Sequence, residues 1–367
     1  MVQYMRNPFT PNFGSVPVWM AGRSVIIHKL LGALDNGVGD PNLCTLVSGA
    51  RGSGKTALLT YCSIHAAEHG WISADVSSEK GMLEDIVQRV IESARGVAKV
   101  GSTRLKSVGV PSLMSVSWEH VDGFAPNWRT RMNTLLDQLA KHDIGLLITV
   151  DEVNPGLDEM VQLVSTYQHF VREGRRVALF MAGLPHDVSA LLSDEDVSFL
   201  RRSARHTLGN VTREEAEVAL RRTIEYGKRG IGKDELSKAA AATLGYPYLM
   251  QLVGYHIWDI GNSEEDISGA DVRDGVLLAQ ADFENRVLSA TYQSLSDGDI
   301  RFMEAMLPDE GASRLSDIAA RMGVASNYAS HYRRRLEEQG IVSSLRRGVV
   351  GVDLPLFKEY VAKMADA

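Results

Sequence analysis

The feature that most constrains the fold of this chain is an eight-residue segment, residues 49–56, with the pattern G-x-x-x-x-G-K-[ST]. An apolar run at residues 43–47 precedes it, and helix-forming residues follow it. Glycines let consecutive backbone N–H groups converge on phosphate oxygens, and the amino end of a following helix adds a positive dipole. The pattern therefore predicts a strand, a phosphate-binding loop and a helix in succession. The residues expected to contact a nucleotide here are Gly49, Ala50, Arg51, Gly52, Ser53, Gly54, Lys55, Thr56 and Ala57.

Two pairs of side chains have specific expected roles in this site. Lys55 is expected to reach the β- and γ-phosphates as a catalytic residue, and the Thr56 hydroxyl to hold Mg²⁺. Asp151 and Glu152 follow another apolar run, residues 146–150. Asp151 is expected to hold the same Mg²⁺ through a water molecule, and Glu152 to orient and deprotonate the attacking water. Alone, this acidic pair is typical of an ordinary turn, but a phosphate loop about 95 residues upstream favours the ATPase interpretation.

Alternating strand and helix patterns predict an α/β fold. Apolar runs at residues 71–76, 144–150 and 176–182 have the composition of buried parallel strands, and helical patterns separate them. This order predicts a doubly wound parallel sheet of the P-loop NTPase type, with its ligand at the carboxyl ends of the strands. No Asn, Thr or Ser ends the last of these runs; His186 could take that place near the γ-phosphate, although a surface histidine is the simpler interpretation. Residues 96–127 are irregular and fit a hairpin or an insertion.

Beyond residue 210 the pattern becomes helical. Residues 212–229, 234–244 and 248–260 are predicted helices of a small lid subdomain. Near the end of the chain, three helices and two short strands around Arg346-Arg347-Gly348 predict a winged helix-turn-helix. The expected parts are an extended arm at 1–23, an α/β core at 24–209, a helical lid at 210–262, a linker helix region at 263–295 and a winged helix at 296–367.

The longest helix of this terminal module, residues 326–339, is the predicted DNA-recognition helix. Residues 325–347 contain five arginines and two glutamates, a local charge of +3 in a chain whose formal net charge is −7. Polar side chains suit base edges, whereas arginines suit phosphates, guanine or a minor groove. In the alternative, the module contacts proteins, and its arginines are solvated or paired with Glu337 and Glu338. The candidate DNA contacts are Asn327, Tyr328, Ser330, His331, Arg333, Arg334, Arg346 and Arg347.

A second group of arginines lies before the lid. Arg201, Arg202 and Arg205 fall on a predicted helix, residues 197–206. One of them can act as an arginine finger on the γ-phosphate of a neighbouring subunit, which would require a homo-oligomer. A solvated basic helix face is an equally good interpretation.

Several of these segments together resemble the AAA+/STAND-type P-loop ATPases, above all the origin-recognition-like and archaeal ATPase groups. The resemblance covers nearly the whole chain, and its two specific motifs are the phosphate loop and the strand that ends in Asp151-Glu152. The other matching segments are Ala21-Gly22-Arg23, Gly183-Leu184-Pro185, residues 245–252 and the terminal winged helix.

The resemblance has implications for the base pocket and for the lid. It implies that Val18, Arg23 and the region of Pro247 line the adenine site. Replication initiators of this kind carry an arginine in the lid helix that touches the γ-phosphate. Here Gly245-Tyr246-Pro247 replaces that pattern and resembles the Gly-x-Pro of STAND switches.

The function expected from the sequence is an ATP-binding and ATP-hydrolysing switch that uses Mg²⁺ and couples nucleotide state to DNA binding. The alternative is a regulatory signalling ATPase whose winged helix holds a protein partner; a metabolic kinase would leave that module without a role. With no run of 18 apolar residues and no signal-peptide core, a cytoplasmic location and no membrane partner are expected. Cys44 and Cys62 are too few for a disulfide framework and are expected to be buried apolar residues.

Overall fold

The computed structural model describes residues 6–12, 14–99, 127–260 and 265–366. The hairpin or insertion predicted between residues 96 and 127 therefore lies almost entirely outside the described residues. In the part of the chain that is described, no helix is both long enough and apolar enough to cross a membrane.

The chain divides into two compact units, each described separately below. The α/β unit comprises Arg23–Gly49 and Lys55–Leu208. The helical unit comprises Met1–Gly22, Ala50–Gly54 and Gly209–Ala367. The middle of the phosphate loop thus groups with the helical unit, whereas its two ends belong to the α/β unit.

A five-stranded parallel sheet forms the centre of the α/β unit. Its order is β2-β3-β4-β1-β5. Strand β4 is buried along its whole length, which explains its unbroken apolar sequence. Parallel neighbours need crossover connections, so the helices between the strands are required by this order. The strands are β1 (Cys44–Gly49), β2 (Trp71–Ser77), β3 (Gly145–Asp151), β4 (Val177–Gly183) and β5 (Ala204–Leu208).

The helices of the α/β unit lie between these strands in the sequence. Two buried aromatic side chains join them to neighbouring segments: the Tyr167 hydroxyl donates to the Leu43 carbonyl, and the Trp128 indole N–H to the Leu83 carbonyl. These bonds satisfy the polar groups of the two rings in the core. The helices are α1 (Ser24–Asn36), α2 (Lys55–Ala66), α3 (Met82–Lys99), α4 (Trp128–Ala140), α5 (Asp158–Arg172) and α6 (Pro185–Ser193), with 3₁₀ turns at Pro41–Leu43, Ala67–His69 and Ser198–Arg202.

The helix predicted at residues 197–206 is wrong. The segment forms the 3₁₀ turn Ser198–Arg202 and then the edge strand β5, which pairs in parallel with β1 from Thr45 to Gly49. Burial along β5 alternates until the fully buried Leu208, as expected for a strand with one solvated face. One edge of β1 pairs with β4, and the other edge provides the hydrogen bonds that make residues 204–208 a strand. The local spacing of the arginines could not reveal this pairing.

The helical unit contains a lid-like group of helices and a three-stranded winged helix around one hydrophobic core. Its winged-helix sheet has the order β8-β10-β9, and β6 pairs in parallel with β7. The predicted fold class, a P-loop α/β core followed by a helical lid and a winged helix, is confirmed. The helices are α7 (Arg213–Tyr226), α8 (Lys233–Ala242), α9 (Pro247–Ile260), α10 (Gly269–Phe283), α11 (Ser289–Gln293), α12 (Asp297–Met306), α13 (Leu315–Met322), α14 (Ser326–Glu338) and α15 (Phe357–Ala365), with a π-helical turn at Glu284–Leu288. The strands are β6 (Gly230–Ile231), β7 (Asp266–Ile267), β8 (Ser313–Arg314), β9 (Val342–Arg346) and β10 (Val349–Val352).

The linker region is more regular than its polar sequence indicates. Helix α10 begins at Gly269 because Ser268 and Asp271 form a reciprocal capping box. A π-helical turn separates α10 from α11 within the predicted linker helix region. The sequence analysis did not predict α15 or the short strand β8.

The N-terminal arm packs on helix α9 within the helical unit. Phe9 is buried, and it lies so close to Gly254 that a Cβ at that glycine would overlap the Phe9 ring. The Thr10 backbone N–H donates to the Gln251 side chain at 3.1 Å, and the Asn7 amide donates to the Tyr255 carbonyl at 3.0 Å. Phe13, a second phenylalanine of the predicted arm, lies outside the described residues.

Candidate functional site

The phosphate loop connects the end of β1 to the start of α2. Gly52 has a φ of +71° and Gly54 a φ of +92°, and residues with a Cβ rarely adopt these backbone conformations. Nothing in the described residues lies within 4 Å of a Cβ built at Gly54. The loop therefore leaves open space beside backbone N–H groups at a helix amino terminus, which is where an anion binds.

Lys55 and Thr56 begin helix α2 with their side chains already engaged. The Lys55 ammonium donates to the Gly49 carbonyl at 2.8 Å, so it lies back across the base of the loop. The Thr56 hydroxyl donates to an Asp151 carboxylate oxygen at 2.5 Å. The two predicted metal ligands are thus in direct contact, close enough for one cation to join both oxygens.

The donor set at this point fits magnesium. Mg²⁺ prefers carboxylate, hydroxyl and water oxygens, and Thr56 and Asp151 supply one oxygen of each protein type. The second oxygen of Asp151 accepts the Glu152 backbone N–H at 3.0 Å, which fixes the carboxylate plane. Thr56 and Asp151 are the residues that would hold a small divalent cation at this point.

Glu152 is exposed and has φ +54°, in the left-handed region. That conformation costs a residue with a Cβ about 1–3 kcal/mol, and it persists only where the surrounding structure enforces it. Strain of this kind is concentrated at functional sites. It occurs here at the residue that the sequence assigns to the attacking water.

Ser78, which sequence analysis did not single out, holds the turn that carries the acidic pair. Its backbone N–H donates to the Asp151 carbonyl at 3.1 Å, and its hydroxyl accepts the Asn154 N–H at 3.1 Å. Ser78 is buried and follows β2, the strand beside β3. No local sequence pattern marks it, because its role arises from strand adjacency.

The end of β4 carries no Asn, Thr or Ser, as the sequence indicated. His186 lies in the first turn of α6, where its Nε2 pairs with Asp187 at 2.9 Å. The histidine side chain is 30% exposed. Its contact is therefore with its neighbour in the chain, and its predicted place beside a γ-phosphate stays a prediction.

The predicted base-pocket residues lie in both units. Arg23 is buried at the start of α1, Val18 is exposed in the arm, and Pro247 is the first residue of α9. Their assignment to an adenine pocket stays a prediction.

Tyr246, between Gly245 and Pro247, contacts the middle of the phosphate loop inside the helical unit. Its hydroxyl donates to the Arg51 carbonyl at 2.6 Å, and a Cβ at Gly52 would overlap that hydroxyl. Sequence analysis missed this contact. The only local indication was the tyrosine's position in the Gly-x-Pro pattern.

The candidate arginine fingers are exposed but do not share a helix. Arg201 donates to the Leu192 carbonyl at 3.1 Å, and Arg205, on strand β5, donates to the Arg201 carbonyl at 2.6 Å. Arg202 lies on the 3₁₀ turn. A finger role for any of the three stays a prediction.

The predicted recognition helix, α14, has two arginines in internal pairs and one exposed to solvent. Arg333 pairs with Glu337 at 3.0 Å and donates to the Ser344 hydroxyl at 2.6 Å. Arg335 pairs at 3.0 Å with Asp299, which is fully buried. Two of the three consecutive arginines are therefore engaged within the winged helix.

The remaining candidate DNA contacts are mostly exposed. Ser330 is half-buried and donates to the Ser326 carbonyl at 2.9 Å. Tyr328 accepts a hydrogen bond from the Tyr332 hydroxyl at 3.2 Å, and its side chain remains 53% exposed. The other exposed candidates are Asn327, His331, Arg334, Arg346 and Arg347.

The chain is similar in structure to two archaeal ATPases. The ORC2 protein of Aeropyrum pernix, in ADPNP-ADP complexes, has a TM-score of 0.64 at 14% sequence identity, with 97% of this chain and 96% of that chain covered. The Walker-type ATPase paby2304 of Pyrococcus abyssi has a TM-score of 0.61 at 14% identity, with 94% and 96% covered. At this identity the likeness shows the fold, and the predicted resemblance to origin-recognition-like AAA+ ATPases is confirmed at that level.

The sequence comparisons add one local match. Residues 285–361 match the family described as Domain of unknown function (DUF8462). No curated protein matches the sequence of the chain.

Proposed function

We propose that this protein binds Mg·ATP at the phosphate loop and hydrolyses it. The observation that carries the proposal is the 2.5 Å contact between Thr56 and Asp151 beside a glycine-rich loop at a helix amino terminus. Two motifs about 95 residues apart in sequence supply two of the oxygens that would hold a six-coordinate magnesium ion, and water and phosphate oxygens would supply the rest. An ordinary turn after β3 would not require its carboxylate to meet the second residue of α2.

Each side chain has a distinct task in this proposal. When bound, Mg²⁺ neutralises charge on the β- and γ-phosphate oxygens. Lys55 leaves the Gly49 carbonyl to bind those oxygens, and the loop N–H groups from Gly49 to Ala57 surround the phosphates. Glu152 accepts a proton from the attacking water as its oxygen bonds to the γ-phosphorus, and ADP leaves.

The winged helix is proposed to bind DNA and to respond to nucleotide state. Its support is local charge: Arg334, Arg346 and Arg347 are exposed on helix α14 and at the tip of the wing, with Asn327 and His331 on the same helix. Equal DNA affinity of the ATP-bound and ADP-bound protein would contradict the coupling.

A regulatory ATPase whose winged helix holds a protein partner is the second candidate. The ion pairs of Arg333 and Arg335 favour it, because they remove two cations from the surface of the recognition helix. Leu345, on the wing strand, is 62% exposed, and an apolar side chain there suits a protein contact better than a phosphate backbone.

Nucleotide binding is tested with Lys55→Ala, measured by calorimetry with ATP and Mg²⁺. The variant is expected to bind at least tenfold more weakly, because a charged hydrogen bond to phosphate is worth about 1.5–3 kcal/mol. Lys141→Ala is the matched control, since Lys141 is exposed near the amino end of β3, away from the phosphate loop. Equal affinity of Lys55→Ala and wild type would disprove the proposal.

Hydrolysis is tested separately with Glu152→Gln. This variant is expected to bind ATP normally and to release phosphate about 10²–10⁴ times more slowly, because it loses the general base. Unchanged turnover would remove Glu152 from the mechanism while leaving nucleotide binding in place.

A further inference from the structure

Contacts within the protein itself hold Tyr246 in place. It is 3% exposed, and its backbone N–H donates to the Thr243 carbonyl at 2.9 Å. Its carbonyl accepts the Met250 N–H at 2.9 Å, which starts helix α9. The preceding Gly245 has φ +70°, so the turn that aims this tyrosine requires a residue without a Cβ.

The ring of Tyr246 is fixed by a second aromatic side chain. It meets the fully buried Phe283 edge to face, with centroids 5.7 Å apart and planes at 69°. Aromatic pairs favour this arrangement. Burial also raises the pKa of the Tyr246 hydroxyl, so the group keeps its proton at neutral pH and acts as a donor.

The hydroxyl reaches one peptide of the phosphate loop from a defined side. It donates to the Arg51 carbonyl, and no cis peptide bond occurs in the described residues. In a trans peptide the carbonyl and the following N–H point in opposite directions. The Gly52 N–H therefore faces away from Tyr246, and a hydrogen bond to the carbonyl strengthens that N–H as a donor.

We propose that Tyr246 is a positioning residue for the phosphate loop: its hydroxyl holds the Arg51–Gly52 peptide so that the Gly52 N–H is presented to a nucleotide phosphate. The proposal deepens the nucleotide-binding function above and rests on it. In this role Tyr246 acts by holding the backbone of the loop. This role also makes loop order depend on the helical unit that carries Tyr246.

Hydrogen exchange in the nucleotide-free protein tests the first half of this proposal. Tyr246→Phe removes one oxygen and keeps the ring on Phe283, so the fold is expected to persist. Backbone amides of residues 51–54 are expected to exchange about fivefold faster in this variant, the loss expected for one hydrogen bond. Tyr255→Phe is the matched control, because Tyr255 lies on the same helix and its hydroxyl has no hydrogen bond among the described residues.

Affinity for a fluorescent ATP analogue with Mg²⁺ tests the second half. Tyr246→Phe is expected to bind about fivefold more weakly than wild type and Tyr255→Phe. Equal loop exchange in Tyr246→Phe and wild type overturns the proposal, as does faster exchange with unchanged affinity. A wild-type protein that binds no nucleotide overturns the proposed function instead, and the exchange data still decide whether Tyr246 holds the loop.

Discussion

At the scale of single residues, the site depends on a few side chains in unusual states. Glu152 adopts a left-handed backbone conformation although it is not glycine, and the Thr56 hydroxyl donates a hydrogen bond to Asp151. The sequence identified all three of these residues by motif. It could not reveal the backbone strain at Glu152, because φ is set by the turn that Ser78 and Asn154 hold from outside the motif.

The strain at Glu152 predicts a separation of stability from catalysis. Glu152→Gly is expected to raise the free energy of unfolding by up to about 1 kcal/mol, because glycine adopts this φ without a Cβ clash. Phosphate release is expected to be lost. Urea unfolding of Glu152→Gly beside Glu152→Ala measures the first effect. A glycine variant less stable than the alanine variant would show that the backbone there is not strained.

We expect the thiols of both cysteines to be unreactive in the native protein. Cys62 is fully buried as predicted, whereas Cys44 is half-buried, and desolvation raises the pKa of both thiols to about 12. Since the thiolate is the reactive form, at pH 8 the native protein is expected to react with Ellman's reagent at least about 100-fold more slowly than the unfolded protein. A thiol that titrates within mixing time would contradict this burial.

At the scale of elements, long apolar strands were predictable and edge elements were not. Strands β3 and β4 are buried on both faces, so their sequences are apolar throughout and identify them. Strand β5 has the sequence Ala-Arg-His-Thr-Leu, in which only Leu208 is a large apolar residue, and pairing with the second edge of β1 makes it a strand. The start of helix α10 was not predictable for a related reason, because a capping box inside a polar segment resembles a linker.

The packing of the arm on helix α9 predicts an effect of a single methyl group. Helix propensity alone would make Gly254→Ala stabilising. The free energy of unfolding of this variant is instead expected to be about 1–3 kcal/mol lower than that propensity gives, because the new Cβ displaces Phe9. Gly32→Ala, in helix α1, adds the same methyl group with no atom of the described residues within 4 Å, and it is expected to stabilise the protein by up to about 1 kcal/mol.

Thermal unfolding of both glycine variants measures this difference. In a Phe9→Ala background the penalty of Gly254→Ala is expected to disappear, since its collision partner is gone. A penalty that persists in that background would assign the effect to α9 itself.

At the scale of the whole molecule, the same chain carries an acidic net charge and a basic terminal module. The formal net charge of −7 opposes general attraction to nucleic acid, so any DNA binding must come from a few exposed arginines. Arg333 and Arg335 are engaged internally, which leaves Arg334, Arg346 and Arg347 as the exposed arginines of residues 325–347.

This distribution predicts a specific salt dependence of DNA binding. Replacing Arg346 and Arg347 together with alanine is expected to lower the slope of log affinity against log salt by up to about 2, because each phosphate contact contributes about 0.9. Arg273→Ala is the control, because Arg273 is an exposed arginine on α10 outside the winged helix. No DNA binding by wild type at low salt would favour the protein-contact alternative.

The sequence by itself determined the phosphate loop, the acidic pair, the buried parallel strands and the terminal winged helix. Each of these depends on a pattern that is local: glycines where the backbone must turn, apolar residues where both faces of a strand are buried, and charges that follow them. Tertiary structure alone decided that Thr56 meets Asp151, that residues 204–208 form a strand, and that the Tyr246 hydroxyl reaches the Arg51 carbonyl. These contacts join residues that are distant in sequence, so no short window of the chain contains the information that specifies them.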